Sequence, residues 1–290
     1  LEIMLNLFEK INEFFKDIMI DIIKDNLSAM LVDINDKVST VAGEVGKTPS
    51  SWNSEVFTFI KSINTNVVLP IAAIILTAIL CIELIQVVMR KNSMQDTDTF
   101  EFFKYIIKMW IAVWLVSHAF DFSMAVFDVA QSMIGKAAGV VGTSANITPG
   151  NFDAMVDALK TKELGTLIGI ALETGLVKFS LTILSILITV ILYGRMIEIY
   201  IYCSVAAIPF STMGNKEWGS IGTNYIKSLF ALGLQGLFIL IFFGIYAVLV
   251  KTVNFTDIHT SILQVLAYGL ILGVMMMKSG SIAKAILNSH

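Results

Sequence analysis

Apolar and polar residues alternate along the chain in two regimes. In residues 3–31, Met4, Leu7, Phe8, Ile11, Phe14, Phe15, Ile18, Met19, Ile22 and Ile23 recur at helical spacing. Glu9, Lys10, Glu13, Lys16, Asp17, Asp21 and Lys24 fill the other face. This spacing predicts an amphipathic helix with a broad apolar stripe. It is too polar to span a bilayer, so it lies in the interface or packs on partner subunits. Acids outnumber bases on it, which favours a partner over anionic lipid. Residues 32–65 are polar and turn-rich and end in a short amphipathic piece, Trp52 to Ile63. The second regime follows: apolar runs at Val67–Met89, Phe102–Phe127, Leu167–Tyr193, Ile226–Val250 and Ile262–Met277. Each approaches or exceeds the length needed to cross a hydrocarbon core of ~30 Å.

These runs predict an all-α polytopic membrane protein with five transmembrane helices, or six if Ile197–Met213 also crosses. That run is short for a span. It is expected as a long or re-entrant extension of the third helix. Four regions follow: an N-terminal amphipathic and extracellular region (1–65), a first transmembrane hairpin (66–128), an extracellular loop (129–164) with a short helix at Phe152 to Lys160, and a C-terminal transmembrane bundle (165–290). Small residues spaced four apart, Gly165/Gly169 and Gly269/Gly273, can bring helices close, within the chain or between copies.

Composition supports the membrane class. Of 290 residues, 56% are hydrophobic and 15% charged, with a mean hydropathy of +0.78. The formal net charge is -3, so no basic stripe for gripping DNA is expected. Cys81 and Cys203 both lie in apolar runs, which argues against a disulfide framework or a thiolate metal site. No cleavable leader is expected, because the N-terminus has acids throughout rather than a basic patch before a short apolar core. The three histidines are scattered. No catalytic signature such as HExxH, Walker A or GxSxG occurs. Gly46-Lys47-Thr48 lacks the earlier glycine of a phosphate loop, since Val41 stands there. No enzyme, cofactor or metal is therefore expected. Asn146-Ile147-Thr148 and Asn254-Phe255-Thr256 match the glycosylation pattern, as short motifs often do by chance.

Ionisable and helix-breaking residues inside apolar runs are the candidate functional positions, since such groups face protein or water rather than lipid. Glu83 lies near the inner end of the first span, as an interfacial carboxylate or as a pore or inter-subunit contact. Trp114, His118, Asp121, Ala125 and Asp128 share one helix face. That face is either a polar ladder or the place where the bilayer ends. Arg195 and Glu198 stand three apart on one helix and are expected to neutralise each other. Pro209 breaks an apolar run, and Trp218 lies in the turn that follows.

Several blocks of sequence carry a resemblance. YGRMIEIY (Tyr193 to Tyr200), IPFSTMGNKEWG (Ile208 to Gly219) and NYIKSLFALGLQG (Asn224 to Gly236) resemble the VirB6/TrbL-like conjugal transfer proteins of Gram-positive integrative and conjugative elements. KTPSSWN (Lys47 to Asn53), FDFSMAVFDVAQ (Phe120 to Gln131) and GSIAKAI (Gly280 to Ile286) are similar to the same family. The resemblance implies a channel or scaffold subunit of a conjugative type IV secretion system in the cytoplasmic membrane. Its implied partners are other channel subunits and a conjugation ATPase, with homo-oligomerisation and passage of single-stranded DNA with its relaxase. The alternative is a small polytopic secondary transporter or channel. Transporters are usually built from repeats with broken helices in matching halves, and only one broken region is legible here.

Lysine and arginine near the span ends set the orientation. With five spans and the N-terminus outside, Arg90, Lys91, Lys104, Lys108, Arg195, Lys216, Lys227, Lys278 and Lys284 are inside. Lys61, Lys136, Lys160, Lys162 and Lys251 are outside. This excess predicts N-out and C-in. A single cysteine at Ser144 is then labelled from outside intact cells, and one at Asn92 only after permeabilisation. The reverse pattern overturns the orientation.

Overall fold

The computed structural model describes residues 2–90, 99–144, 152–253 and 258–289, and the described residues are helical with no strand. The two glycosylation-like sequences and Asn92 lie outside them. In chain order the helices are α1 (Glu2–Val45), α2 (Pro49–Trp52), α3 (Ser54–Ile63), a π-helical turn (Asn64–Val68), α4 (Leu69–Arg90), α5 (Thr99–Ser117) and α6 (Ala119–Ser144). They continue with α7 (Phe152–Lys160), α8 (Leu164–Ser204), α9 (Ala207–Thr212), α10 (Gly219–Lys251) and α11 (Ile258–Ile286).

Among the described residues, five helical stretches are long and apolar enough to cross a membrane: Ser54–Met89, Ala119–Gly142, Leu164–Ser204, Gly219–Lys251 and Ile258–Ile286. The second differs from the expected Phe102–Phe127. Glu101, Lys104 and Lys108 make α5 too charged, while α6 continues past the expected end as far as Ser144. The run AQSMIGKAAGVVGTS looks like loop because of its small residues, yet it contains no proline and Ile134 is buried. The amphipathic N-terminus likewise runs on to Val45. It stops at Gly46-Lys47-Thr48, where the Thr48 hydroxyl caps α2 through the Ser51 amide and Pro49 occupies its first position. At 41 residues, α8 is roughly 60 Å long, about twice a hydrocarbon core. Ile197–Met213 does not form a sixth span. Its first part completes α8, and the rest is the six-residue α9.

The chain divides into two compact units. One comprises residues 1–45, 135–192 and 239–278, and the other residues 46–134, 193–238 and 279–290. In the first, Leu167, Ile170, Thr174, Val177, Leu181 and Ile188 form a buried stripe along α8. Helix α11 runs parallel to α8 here: His259 meets Glu173, Gly269 faces Leu181, and Gly273 faces Leu184. A Cβ at Gly273 would come within 2.9 Å of the Leu184 side chain. The Gly269/Gly273 pair is thus used for packing within the chain, whereas space is open around Gly165 and Gly169.

In the second unit, α4, α5 and α9 pack on one another. Their shared core includes Val68 of the π-helical turn, Ala72 and Leu76 of α4, Ala112 and Val116 of α5, and Phe210 of α9. Met196, Ile199, Tyr200 and Cys203 of α8 and Tyr225, Leu229 and Leu232 of α10 complete it at helical spacing. Arg195 meets Leu232 and Tyr202 meets Tyr225, so α8 and α10 are antiparallel in this unit.

The return from α9 to α10 depends on Gly222. A Cβ there would lie 2.1 Å from the Met213 Cγ and 2.6 Å from the Pro209 carbonyl oxygen. The methionine can move but the carbonyl cannot. Gly222→Ala is expected to destabilise the protein by roughly 1–3 kcal/mol, read as an earlier thermal unfolding in detergent. Gly194→Ala, with nothing within 4 Å, should be neutral or stabilising. Equal effects of the two would contradict this packing.

Candidate functional site

The second unit concentrates its buried polar side chains where helices begin, bend or cross. The break between α8 and α9 is the first such place. A helix that ends inside apolar surroundings leaves carbonyls with no water to bind. Asn64, 6% exposed and placed by the π-helical turn, donates its Nδ2 to the Ser204 carbonyl at 2.8 Å. The Ser204 hydroxyl turns back onto the Ile201 carbonyl at 2.7 Å. One turn earlier, the Tyr200 hydroxyl donates to the Pro49 carbonyl at 2.6 Å. Trp52 packs against both Tyr193 and Tyr200. The Lys47–Asn53 block is thereby fastened to the Tyr193–Tyr200 block.

A second group lies between α6, α8 and α10. The Tyr225 hydroxyl donates to the Tyr202 carbonyl at 2.8 Å and stands 3.3 Å from the Ser123 hydroxyl. Ser123 itself donates to the Ala119 carbonyl. Further along α10, Gln235 Nε2 donates to Ser279 Oγ at 3.2 Å.

Arg195 is 6% exposed, and its Nε donates to the Leu232 carbonyl at 3.2 Å. The expected Arg195–Glu198 ion pair is not what forms: Glu198 instead faces Lys284 at 3.7 Å. A step of three residues rotates about 60° around a helix. Arg195 therefore turns inward toward α10, while Glu198 sits at the partly exposed edge beside α11.

Glu83 is buried and receives both of its hydrogen bonds from Lys108 Nζ, each at 2.8 Å. With Tyr105 donating to the Leu80 carbonyl at 2.9 Å, this ties α4 to α5. The pair borders a pocket of about 340 Å³ that also includes Lys104, Asn215 and Lys216.

His118, Asp121 and Asp128 do fall on one face, and that face is exposed. They do not form a hydrogen-bonded ladder. His118 stacks on Trp114 with ring centres 4.9 Å apart, and its Nδ1 is 2.8 Å from the Trp114 carbonyl. The helical ladder continues through His118, from its amide to Trp114 and from Phe122 back to it. Pro209 sits half-buried in α9, where its carbonyl accepts from Thr212. Trp218 is 47% exposed, beside the Asn215 side chain that caps the amides of Glu217 and Trp218. No ion pair joins two of these eight positions among the described residues. Sequence reasoning missed Asn64, Tyr200, Tyr225 and Lys108. The first three are neutral, and the last stood out only as a topological charge.

Among the described residues no group of three or more His, Cys, Asp or Glu could hold a metal. What the arrangement does chemically is hold helices together, by giving buried carbonyls and charges a partner from another segment.

The Glu83–Lys108 pair gives a direct test. Removing one partner strands a charge, whereas replacing both with apolar residues removes the need for either. Lys108 is 39% exposed, so the effect is moderated. Lys108→Met is expected to lower stability by roughly 1–3 kcal/mol, and adding Glu83→Leu should restore part of it. Simple additivity in detergent unfolding experiments would contradict the pairing.

The model of a family described as TrbL/VirB6 plasmid conjugal transfer like protein matches residues 34–207. No curated protein and no solved structure matches the chain. The match includes Lys47–Asn53, Phe120–Gln131 and Tyr193–Tyr200, whereas the blocks from Ile208 onward lie beyond it. It takes in Asn64 and Ser204, Tyr200 and Pro49, and Glu83 and Lys108, so both partners of each of these contacts fall inside it. With more than half of its 290 residues matched, the chain belongs to the TrbL/VirB6 plasmid conjugal transfer-like family.

Proposed function

We propose that this protein is a channel or scaffold subunit of a conjugative type IV secretion system. In this reading it sits in the cytoplasmic membrane with its N-terminus outside and its C-terminus inside. It supports transfer of single-stranded DNA, with its relaxase, from an integrative and conjugative element of a Gram-positive host. The observation that carries the reading is the family match over residues 34–207. The five long apolar helices support a multi-pass membrane subunit.

The role is structural rather than enzymatic. Power and substrate choice come from other components, including a conjugation ATPase. Asp121 and Asp128 lie exposed on α6, one of the stretches able to cross the bilayer. Carboxylates at membrane depth require water or protein. Their exposure on the single chain supports a wet seam or a contact with further subunits, including copies of itself. A seam lined by carboxylates repels a polyanion, so these groups hold subunits in register rather than gripping DNA.

Deleting the protein from a donor strain is expected to abolish conjugative transfer while relaxase nicking of the element continues. Normal transfer frequency in the deletion strain would overturn the channel-subunit reading. Loss of nicking would place the protein upstream of the channel.

A further inference from the structure

Helix α1 carries two apolar stripes on different sides. From Ile20 onward it buries Ile20, Ile23, Leu27, Met30, Val41 and Val45 in the first unit. Its first half presents another set: Met4, Phe8, Ile11, Phe15, Ile18 and Ile22. At 100° per residue the two stripes are about 120° apart around the helix. The first-half stripe is therefore not a continuation of the docked one. It points elsewhere, and five of its six side chains are 40% or more exposed, Ile18 being half-buried.

The pattern of this stripe selects its occupant. The six positions alternate steps of four and three over about two and a half seven-residue repeats, all of them apolar, and Leu7 and Phe14 widen the face. A sustained seven-residue repeat is the seam of helices packed on helices. Ile3, Met4, Leu5, Leu7, Phe8, Ile11, Phe14, Phe15 and Ile22 are each 40% or more exposed, the scale of apolar surface that one partner brings to a standard interface of roughly 800 Å² a side.

Geometry argues against a lipid surface. In the first unit α1 runs parallel to α8: Asn26 bonds Thr174 at 3.3 Å, and Asp33 and Lys37 line a small cavity with Leu181 and Ser185. In that register the residues before Lys16 project past Leu164, where α8 begins. A helix aligned with a membrane-crossing helix does not lie flat in the interface, and acids outnumber bases on its polar side, so anionic headgroups do not attract it.

We propose that the first half of α1 is a self-association element, packing through the Met4–Ile22 stripe against the same segment of further copies of this chain. The proposal deepens the assembly-subunit reading above by naming the surface and the partner, and it rests on that reading only for its biological setting.

The test uses the full chain in nanodiscs with Cys81→Ser, because Cys81 is exposed and Cys203 buried. Ile11→Cys lies on the stripe and Glu13→Cys on the opposite side. Under mild oxidation, disulfide-linked dimers are expected from Ile11→Cys and not from Glu13→Cys. Adding Phe8→Asp and Phe15→Asp should abolish them without changing the unfolding temperature, since both phenylalanines are exposed. Equal cross-linking from both positions, or none from Ile11→Cys, overturns the proposal. So does quenching of a fluorophore at Ile11→Cys by brominated acyl chains, which would assign the face to lipid. None of these readouts depends on DNA transfer. Normal transfer in the deletion strain with intact cross-linking would sink the conjugation reading alone.

Discussion

A helix that stops inside an apolar interior must find donors for its last carbonyls. At the end of α8 one donor comes from far away in sequence: Asn64 reaches the Ser204 carbonyl at 2.8 Å. Leaving such a buried carbonyl unpaired would cost about 1–3 kcal/mol. That single bond permits the break at Val205–Ala206. The break frees α9 to pack on α4 and α5 instead of continuing as part of α8. The π-helical turn at Asn64–Val68 has a purpose in this light. Single π turns commonly mark functional positions, and this one carries the donor in a helix that otherwise continues into α4.

Three other buried polar contacts of the second unit follow the same rule. Tyr200 binds the Pro49 carbonyl, Tyr225 the Tyr202 carbonyl and Arg195 the Leu232 carbonyl. Each is a side-chain donor brought to a backbone acceptor on another segment or another turn. Hydrophobic packing alone would tolerate sliding of one apolar helix along another. Directed bonds at fixed positions set the register, at the risk of a large penalty if one partner is lost. A subunit that must present constant surfaces to its neighbours benefits from such rigidity, which connects the interior chemistry to the proposed role.

Much of the architecture was legible in the sequence, because crossing a bilayer leaves a strong signature in apolar run length. Four of the five apolar stretches follow from it, the second lying at Ala119–Gly142 rather than at Phe102–Phe127, and so does the reading of Ile197–Met213 as an extension rather than a sixth span. Helix ends were harder. The glycines, alanines and serines after Ala130 suggest a loop, yet α6 persists to Ser144 because nothing in that run prevents a helix. The partners of polar residues were the least legible. Arg195 and Glu198 share a helix face by spacing, but tertiary structure turns one to a carbonyl of α10 and the other to Lys284. Glu83 was singled out as a lone carboxylate in a span, whereas its partner Lys108 lies 25 residues on. Asn64 gave no signal at all, since a neutral amide before an apolar run is unremarkable until the fold brings Ser204 beside it.

Asn64 holds the α8–α9 break closed through its bond to the Ser204 carbonyl. Hydrogen exchange on the full chain in nanodiscs, comparing the wild type with Asn64→Leu, tests this most directly. Faster exchange of the amides from Val205 to Met213 is expected in the variant, with α10 and α11 unchanged. Unchanged protection from Val205 to Met213 would contradict it, because the break would then be stable without its donor.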